Sequence, residues 1–505
     1  MQFLSVSFII LWAVSFALYY LLPPKLQRYV LLLSGVLFYI AGYKGIPAAF
    51  LMTALTTYGC GLFLQKSFAG QEEALKACAD REQKKRVKEE SAKRRKGMQI
   101  LYFAVNLGML AFYKYTASAL PLGISFYTLT AMGYVIDVGR ENCEAEPDFL
   151  KMLLFLSYFP AVTQGPFNRF RAMKEQFEKK HEFDYERMLR GIQRFVWGAF
   201  KKLVIADRIG IFVDNVFAGD ISATPGSIYA CAVVFYMLQL YADFSGYIDM
   251  AMGVSESFGI FLQENFKRPY FARSVAEFWR RWHITLGAWF KDYVMFSFVM
   301  SGTGRRIGKA CKKKWNGLGR YVTPVIGTML VWFFTGAWHG KNAGYMLWGV
   351  CYGVIMSLSL VLESRYDGWK KRLHIGEGRG YAFFCMARTW AVVFAADVLI
   401  RSESLAQAGA VFQAFFTHLD LRALLSKTVT SYGLGKYEFL LLSAALLIWL
   451  AVSIGEEKGK DVRAYLAAKP VLLRWSCYYG IVLLLLITGI YGGNYDTAAF
   501  LYQSF

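Results

Sequence analysis

The chain has 505 residues, 56% of them hydrophobic and only 18% charged. Soluble domains carry roughly 25% charged residues and no recurring apolar runs of membrane-spanning length, so one large helical membrane domain over 1–505 is favoured over about three soluble ones. The net charge of +21 fits Lys- and Arg-rich cytoplasmic loops, and no aromatic-plus-basic module directs it to nucleic acid.

A helix needs about 20 mostly apolar residues to cross the hydrocarbon core. On that basis about eleven spans are predicted, near 3–22, 28–42, 46–65, 98–117, 121–138, 226–257, 321–338, 343–363, 380–400, 437–455 and 471–492. The first begins without a basic region and lacks a small-residue cleavage site, so it reads as a membrane helix, not a removable signal. The stretch 66–97 contains KKRVKEESAKRRKG and reads as a solvated helical cytoplasmic loop without chemistry of its own. Three preceding spans then place the N-terminus outside. The loop Arg305–Arg320, with seven basic residues and no acid, belongs on the cytoplasmic side too.

Segments 150–166 and 191–213 are shorter or more amphipathic. If 150–166 crossed fully, the seven basic residues of Arg169–Arg190 would lie outside. A re-entrant segment breaking at QGPFNR (164–169) removes that conflict, because irregular backbone is tolerated at membrane depth where protein or a wet cavity surrounds it. No inverted repeat of the transporter type is evident. The eight cysteines form no C-x-x-C pair, so neither a zinc site nor a disulfide framework is indicated.

Chemistry concentrates between residues 235 and 340. The helix FYMLQLYADFSGYIDMAMG carries Asp243 and Asp249. Carboxylates in a membrane helix are costly and normally face a partner inside the bundle. An interhelical salt bridge with an arginine is the bland reading, and a catalytic or tunnel-lining carboxylate is the other. In ENFKRPYFARSVAEFWRRWHITLGAWFKDYV, Ser274 and Glu277 form an S-x-x-E capping box. Glu277 can pair with Arg281 one turn on. On a single helix, Trp279, His283, Leu286 and Phe290 would share one face. Arg280 and Arg281 fit either headgroup anchoring or binding of a donor's phosphates. His283 is either a satisfied polar residue among tryptophans or part of a site.

His339 ends the apolar run VWFFTGAWHG. A lone histidine on an apolar face is ordinarily a satisfied core residue. Within a membrane segment, however, an ionisable group marks a functional site by default, and imidazole is suited to take a proton near neutral pH. Gly336 and Gly340 would let a substrate or a helix approach closely. There is no G-x-S-x-G elbow, Walker loop, G-x-G-x-x-G after a strand, or H-E-x-x-H. Serine hydrolase, NTPase, dehydrogenase and metalloprotease readings therefore lose support.

Taken together these motifs resemble the membrane-bound O-acyltransferase (MBOAT) family, in particular its bacterial branch of alginate O-acetylation and teichoic-acid D-alanylation membrane proteins. The resemblance runs through LLLSGVLFYIAGYK (31–44), LPLGISFYTLTAMGYVIDVGR (120–140), YFPAVTQGPFNRF (158–170) and YADFSGYIDMAMG (241–253). It is strongest at 264–294 and at GAWHG (336–340), which makes 120–363 the motif-bearing core and 380–505 a weakly marked set of C-terminal helices with a relic Arg motif at LIRSESLAQA (399–408). The resemblance implies an all-α polytopic protein, a ring of tilted helices with re-entrant segments around a central tunnel, in the bacterial cytoplasmic membrane.

It also implies His339 and His283 as the catalytic pair, with Arg280, Arg281, Trp279, Trp282, Trp338 and Asp243 binding the donor or lining the tunnel. The expected donor is an acyl thioester such as acetyl-CoA, used as a co-substrate; no bound cofactor or metal is called for. Relatives commonly hand the acyl group to an SGNH-type extracytoplasmic partner protein, which serves an exported or cell-wall polysaccharide. Acetylation is favoured by SFYTLTAMGYVIDV and FSGYIDMAMG, with D-alanylation of teichoic acid the second reading. Ala343, where many relatives have a nearby tryptophan, and Lys341, Ile400 and Ser402 depart from the pattern, which bears on acceptor and partner recognition. A transporter or polysaccharide-export channel also explains many spans and embedded carboxylates, but gives no reason for the RRWH and WHG elements.

Overall fold

The computed structural model describes residues 3–43, 45, 47–116, 120–376, 378–426 and 428–491. Of the expected segments, positions 44, 46, 117 and 492–505 lie outside the described residues. The described chain is helical throughout, without a strand. The helices are α1 (Val6–Leu21), α2 (Gln27–Tyr43), α3 (Ala48–Ala77), α4 (Arg81–Tyr115), α5 (Ile124–Gly139), α6 (Phe149–Ser157), α7 (Phe170–Glu178) and α8 (Tyr185–Phe200). They continue as α9 (Asp207–Ala218), α10 (Gly226–Ser257), α11 (Val275–Arg281), α12 (Ile284–Phe290), α13 (Phe296–Met300) and α14 (Gly302–His339). The last are α15 (Ala343–Arg372), α16 (Arg379–Arg401), α17 (Leu405–Thr417), α18 (Lys436–Glu457), α19 (Val462–Ala467) and α20 (Val471–Thr488).

Seven stretches among the described residues are long and apolar enough to cross a membrane: α3, α10, residues 317–339 of α14, α15, α16, α18 and α20. α1 is a shorter apolar helix. The other expected spans also fall on helices, namely α2, the second half of α4, and α5. Large apolar side chains face outward, among them Leu440, Leu447, Leu472 and Ile487, as lipid-facing surfaces require. The chain is a multi-pass membrane protein.

The chain divides into two compact units, Met1–Ile192 with Ala251–Gln263, and Gln193–Met250 with Glu264–Phe505. In the first unit the basic run 81–97 lies on the opening turns of α4, largely exposed, with Asp80 capping the helix through Gln83 N–H at 2.7 Å. α6 has nine residues and rises about 14 Å, less than half of the roughly 30 Å core, so it does not cross. The chain after it, 158–165, turns back through buried residues. There Gly165 lies so close to Ala161 that a Cβ would meet the Ala161 Cα at 2.3 Å.

In the second unit a continuous helical run, the end of α8, a π-turn at Lys201–Ala206 and α9, packs against α10. Gly198 and Gly246 meet backbone to backbone, a Cβ on either reaching the other's carbonyl oxygen at 2.4 and 2.8 Å. Such contacts between small residues suit helix packing where no hydrophobic effect operates. α14 and α15 form a hairpin whose turn is capped by Asn342, accepting from Gly344 N–H at 3.0 Å.

Candidate active site

The hairpin of α14 and α15 places His339. Gly336 and Gly349 face each other across it: a Cβ on Gly336 would meet the Tyr345 carbonyl oxygen at 2.6 Å, and one on Gly349 the Trp332 carbonyl oxygen at 2.5 Å. The close approach that the flanking glycines predict is therefore that of a neighbouring helix. His339 is buried, and its Nδ1 lies 2.7 Å from the Thr335 carbonyl oxygen. A carbonyl only accepts, so Nδ1 carries the proton and the neutral ring keeps a lone pair on Nε2. The ring lies 5.0 Å from the Trp338 ring, 5.2 Å from Trp348 and 6.4 Å from Tyr345, centroid to centroid.

The expectation of one continuous helix through Trp279, His283 and Phe290 is corrected by the structure. α11 ends at Arg281, Trp282 is extended, and His283 sits in the left-handed region at φ 45°, ψ 50° before α12 begins. The cause lies upstream, at buried Asn265. Its Oδ1 accepts from Thr285 N–H at 3.1 Å and Thr285 Oγ1 at 2.9 Å, and so provides the start of α12 with a cap. Its carbonyl accepts from Ile284 N–H, while Lys267 N–H donates to the Arg281 carbonyl. The expected start of α11 is present: Ser274 Oγ accepts from Glu277 N–H, and the Glu277 carboxylate accepts from Arg273 N–H.

The same Asn265 oxygen sets the His283 tautomer. It receives a backbone N–H and is therefore an acceptor, so His283 Nδ1, 3.2 Å away, donates to it. Burial, with the His339 ring nearby, holds the His283 imidazole well below its ordinary pKa. The ring packs edge-on to Phe244 at 4.8 Å and lies 6.3 Å from the Trp338 ring.

The remaining site candidates divide sharply. Trp279 sits in an aromatic cluster with Trp332, Trp348 and Tyr352 at centroid distances of 4.7, 5.6 and 4.9 Å. Trp282 stacks on Phe278 at 5.6 Å. Arg281 pairs with Glu277 at 2.8 Å, as expected, and also with Glu457 at 2.9 Å. Arg280 is exposed. Asp243 is held at 2.8 Å by Lys202, which also holds Asp207 at 2.8 Å. Asp249 is bound by Arg194 at 3.0 Å and Lys201 at 2.6 Å. Both membrane carboxylates are thus in ion pairs, and the partner of Asp243 is a lysine where an arginine was expected. No group of three or more His, Cys, Asp or Glu among the described residues is placed to hold a metal ion.

His339 lines a cavity of about 30 Å³, walled by Leu240, Tyr270, Trp279, Trp282, Tyr345, Trp348 and Tyr352. Of the wall residues only Trp279 and Trp282 were expected from the sequence; among those that were not, the one that can ionise within an apolar helix is Asp397 on α16. The signal was present, since AVVFAADVLI is an otherwise apolar helix interrupted by a carboxylate, the feature that singles out Asp243.

Comparison with known proteins identifies the family of the chain. The model of the MBOAT, membrane-bound O-acyltransferase, family matches residues 140–310. The chain is 31% identical over 423 residues to a protein named "probable alginate O-acetylase" from Pseudomonas fluorescens, covering 83% of this chain and 76% of that one. The chain belongs to the membrane-bound O-acyltransferase family. It is 35% identical over 304 residues to the protein of the same name from Pseudomonas syringae pv. tomato, 60% of this chain; the match spans about half, 52%, of that relative. A teichoic acid D-alanyltransferase of Bacillus subtilis is 29% identical over 255 residues, 50% of this chain and 60% of the other. The MBOAT chain is accordingly a membrane O-acyltransferase.

Proposed function

We propose that this MBOAT protein moves an acetyl group from a cytoplasmic thioester donor, acetyl-CoA or a derivative, toward hydroxyls of an extracytoplasmic polysaccharide, with His339 as general base. The observation that supports the reading is the 2.7 Å contact of His339 Nδ1 with Thr335 O, which makes Nε2 the basic nitrogen of a side chain that lines a small aromatic cavity. The hydroxyl oxygen attacks the thioester carbonyl carbon while its proton passes to Nε2. The tetrahedral intermediate then collapses: the C–S bond breaks, the thiolate takes that proton, and ester and free thiol leave. A positioned base contributes typically about 10²–10⁴-fold. The aromatic walls exclude water that would otherwise hydrolyse the donor.

His283, fixed by Asn265, and Arg280 and Arg281 position the donor. Asp243, tied to Lys202, supports the wall. The chain lies in the bacterial cytoplasmic membrane with its N-terminus outside, by the distribution of basic loops. An SGNH-type extracytoplasmic protein completes delivery. The names of the Pseudomonas relatives support acetyl as the group transferred, and the Bacillus relative supports D-alanyl as the second reading.

The test is ester content of surface polysaccharide, by mass spectrometry, in cells carrying wild-type or His339→Ala protein at matched expression. Loss of acetyl esters supports the first reading, and loss of D-alanyl esters the second. Unchanged esters would end the catalytic role of His339 and revive the transporter reading.

A further inference from the structure

The reaction scheme leaves a second cavity unused. It measures about 640 Å³ and lies wholly in the first compact unit, where the end of α7, the loop 179–184 and the start of α8 meet the segment 259–261. Two glutamine amides hold its walls. Gln27 accepts from His181 N–H at 3.1 Å and donates to the His181 carbonyl at 2.7 Å. Gln176 accepts from Phe261 N–H at 2.7 Å and donates to the Phe261 carbonyl at 3.1 Å. Gly259, at φ 82°, lies so close to two lining residues that a Cβ would meet His181 Nδ1 at 2.6 Å and the Arg187 Cζ at 3.3 Å. Contacts far apart in sequence therefore build this cavity, not a loop standing free.

Its charges do not balance. Three cations, Lys179, Lys180 and Arg187, line it with two carboxylates, Glu182 and Asp184. Lys180 is taken by Glu182 at 2.6 Å, and Asp184 caps α8 by accepting from Arg187 N–H at 3.0 Å. His181 is neutral: burial lowers its pKa, and its Nε2–H donates to the Gln176 carbonyl. The Arg187 guanidinium meets only neutral oxygens, the Tyr20 hydroxyl at 3.2 Å and the Glu182 carbonyl, and its buried Nε has no hydrogen-bond partner. No carboxylate among the described residues pairs with Lys179 or with Arg187.

An anion with several acceptor oxygens and one net charge answers this arrangement, and a guanidinium beside an ammonium favours phosphate. The surroundings narrow the source. Tyr20 stands in the last turn of the apolar helix α1, which puts the cavity where the hydrocarbon core gives way to headgroups. Phe183 and Phe261 are 55% and 59% exposed, and Phe183 packs against Tyr20 at 5.7 Å, leaving apolar surface beside the cations. A nucleotide donor, with several phosphate charges, would exceed the single positive surplus. We propose that this cavity holds the phosphodiester of an anionic membrane phospholipid, with Arg187 and Lys179 on the phosphate oxygens and Phe183 and Phe261 beside the glycerol. The site does not depend on the acyl-transfer reading.

The test is native mass spectrometry of the full chain, purified in detergent and given phosphatidylglycerol, phosphatidylcholine or coenzyme A. Wild type should retain phosphatidylglycerol in preference to the other two. Lys179→Gln combined with Arg187→Gln should lower the retained fraction about tenfold. Lys179→Gln alone removes a side chain without an ion pair among the described residues, so it should leave the thermal midpoint unchanged while lowering retention about threefold. That single variant separates lost binding from a folding defect caused by the Arg187 change. Lys312→Gln with Lys313→Gln removes the same charge from the exposed start of α14 and should retain lipid as wild type does. Equal retention by wild type and the Lys179 Arg187 variant, or an equal loss in the Lys312 Lys313 control, would overturn the site. Phosphatidylcholine held as firmly as phosphatidylglycerol would overturn the charge argument. Coenzyme A retained in place of lipid, and lost in the Lys179 Arg187 variant, would overturn the lipid and give the cavity to the donor's phosphates.

Discussion

Two buried polar regions of the same unit follow opposite rules. Around the π-turn that follows α8, the buried carboxylates are met by cations: Lys202 lies between Asp207 and Asp243, and Lys201 and Arg194 enclose Asp249, with Arg194 reaching Glu264 at 2.7 Å as well. Around His339, the Asp397 carboxyl and the Trp279 indole N–H have no partner among the described residues. Buried ion pairs are costly to break but add little when intact, which makes the first region a device for holding α8, α9 and α10 in register. The second region is costly as it stands, and such a cost persists where a ligand relieves it. Charge inside the membrane is a sign of function only after its partners have been counted.

This contrast can be broken from either side. The largest effect is expected from His339→Gln, which should lower ester formation about 10²–10⁴-fold while elution and thermal midpoint of the purified protein stay near wild type. A midpoint that collapses together with activity would place His339 in the structural class. Lys202→Met should do the reverse. It leaves Asp207 and Asp243 without their cation, a loss of about 3–5 kcal/mol, read as a lower thermal midpoint or a lost monodisperse peak. Gly336→Ala lies between the two. Its Cβ meets Tyr345 O, an overpacking cost of about 1–3 kcal/mol, and it should reduce transfer by tilting the end of α14 that carries His339.

Smaller effects sharpen the comparison at its edge. Arg281 and Glu457 are partly exposed, so Arg281→Gln should move stability by no more than about 1 kcal/mol. Arg280→Gln should raise the apparent KM for acetyl-CoA severalfold if the exposed guanidinium meets donor phosphates; an unchanged KM assigns it to the membrane surface. The smallest effect concerns pH. Burial lowers His181, whose Nε2–H donates to the Gln176 carbonyl, and lowers His283 as well. Both rings are neutral in the fold and take up a proton more readily when unfolded. Stability should therefore decline as pH falls below about 6.5, and His181→Gln should flatten that slope in a melting series.

How much of this was legible in the sequence depended on the distance over which each feature is determined. His339 was legible because GAWHG places histidine and glycines inside an apolar run, a pattern read over five residues. The cap of α11 was equally local, as was the Glu277–Arg281 pair. The break at His283 was not, because the side chain that makes it belongs to Asn265, some twenty residues upstream and outside any helical period. The lysine partner of Asp243 was missed for a related reason: Lys201 and Lys202 read as the polar stripe of an amphipathic segment, and only packing turns them inward. Asp397 is legible by the same rule as Asp243, a carboxylate inside the apolar run AVVFAADVLI, but it stands beside the helix end at LIRSESLAQA, where a charged residue is unremarkable.

The left-handed backbone of His283 carries a consequence for variation at this position. At φ 45° a side chain branched at Cβ is strained, whereas asparagine, aspartate and glycine are accommodated. Random mutagenesis should therefore return Asn or Asp there as folded proteins and Ile, Val or Thr as unfolded ones, before any difference in proton transfer is felt. The backbone screens the alphabet available at position 283, and chemistry chooses only among the letters that pass.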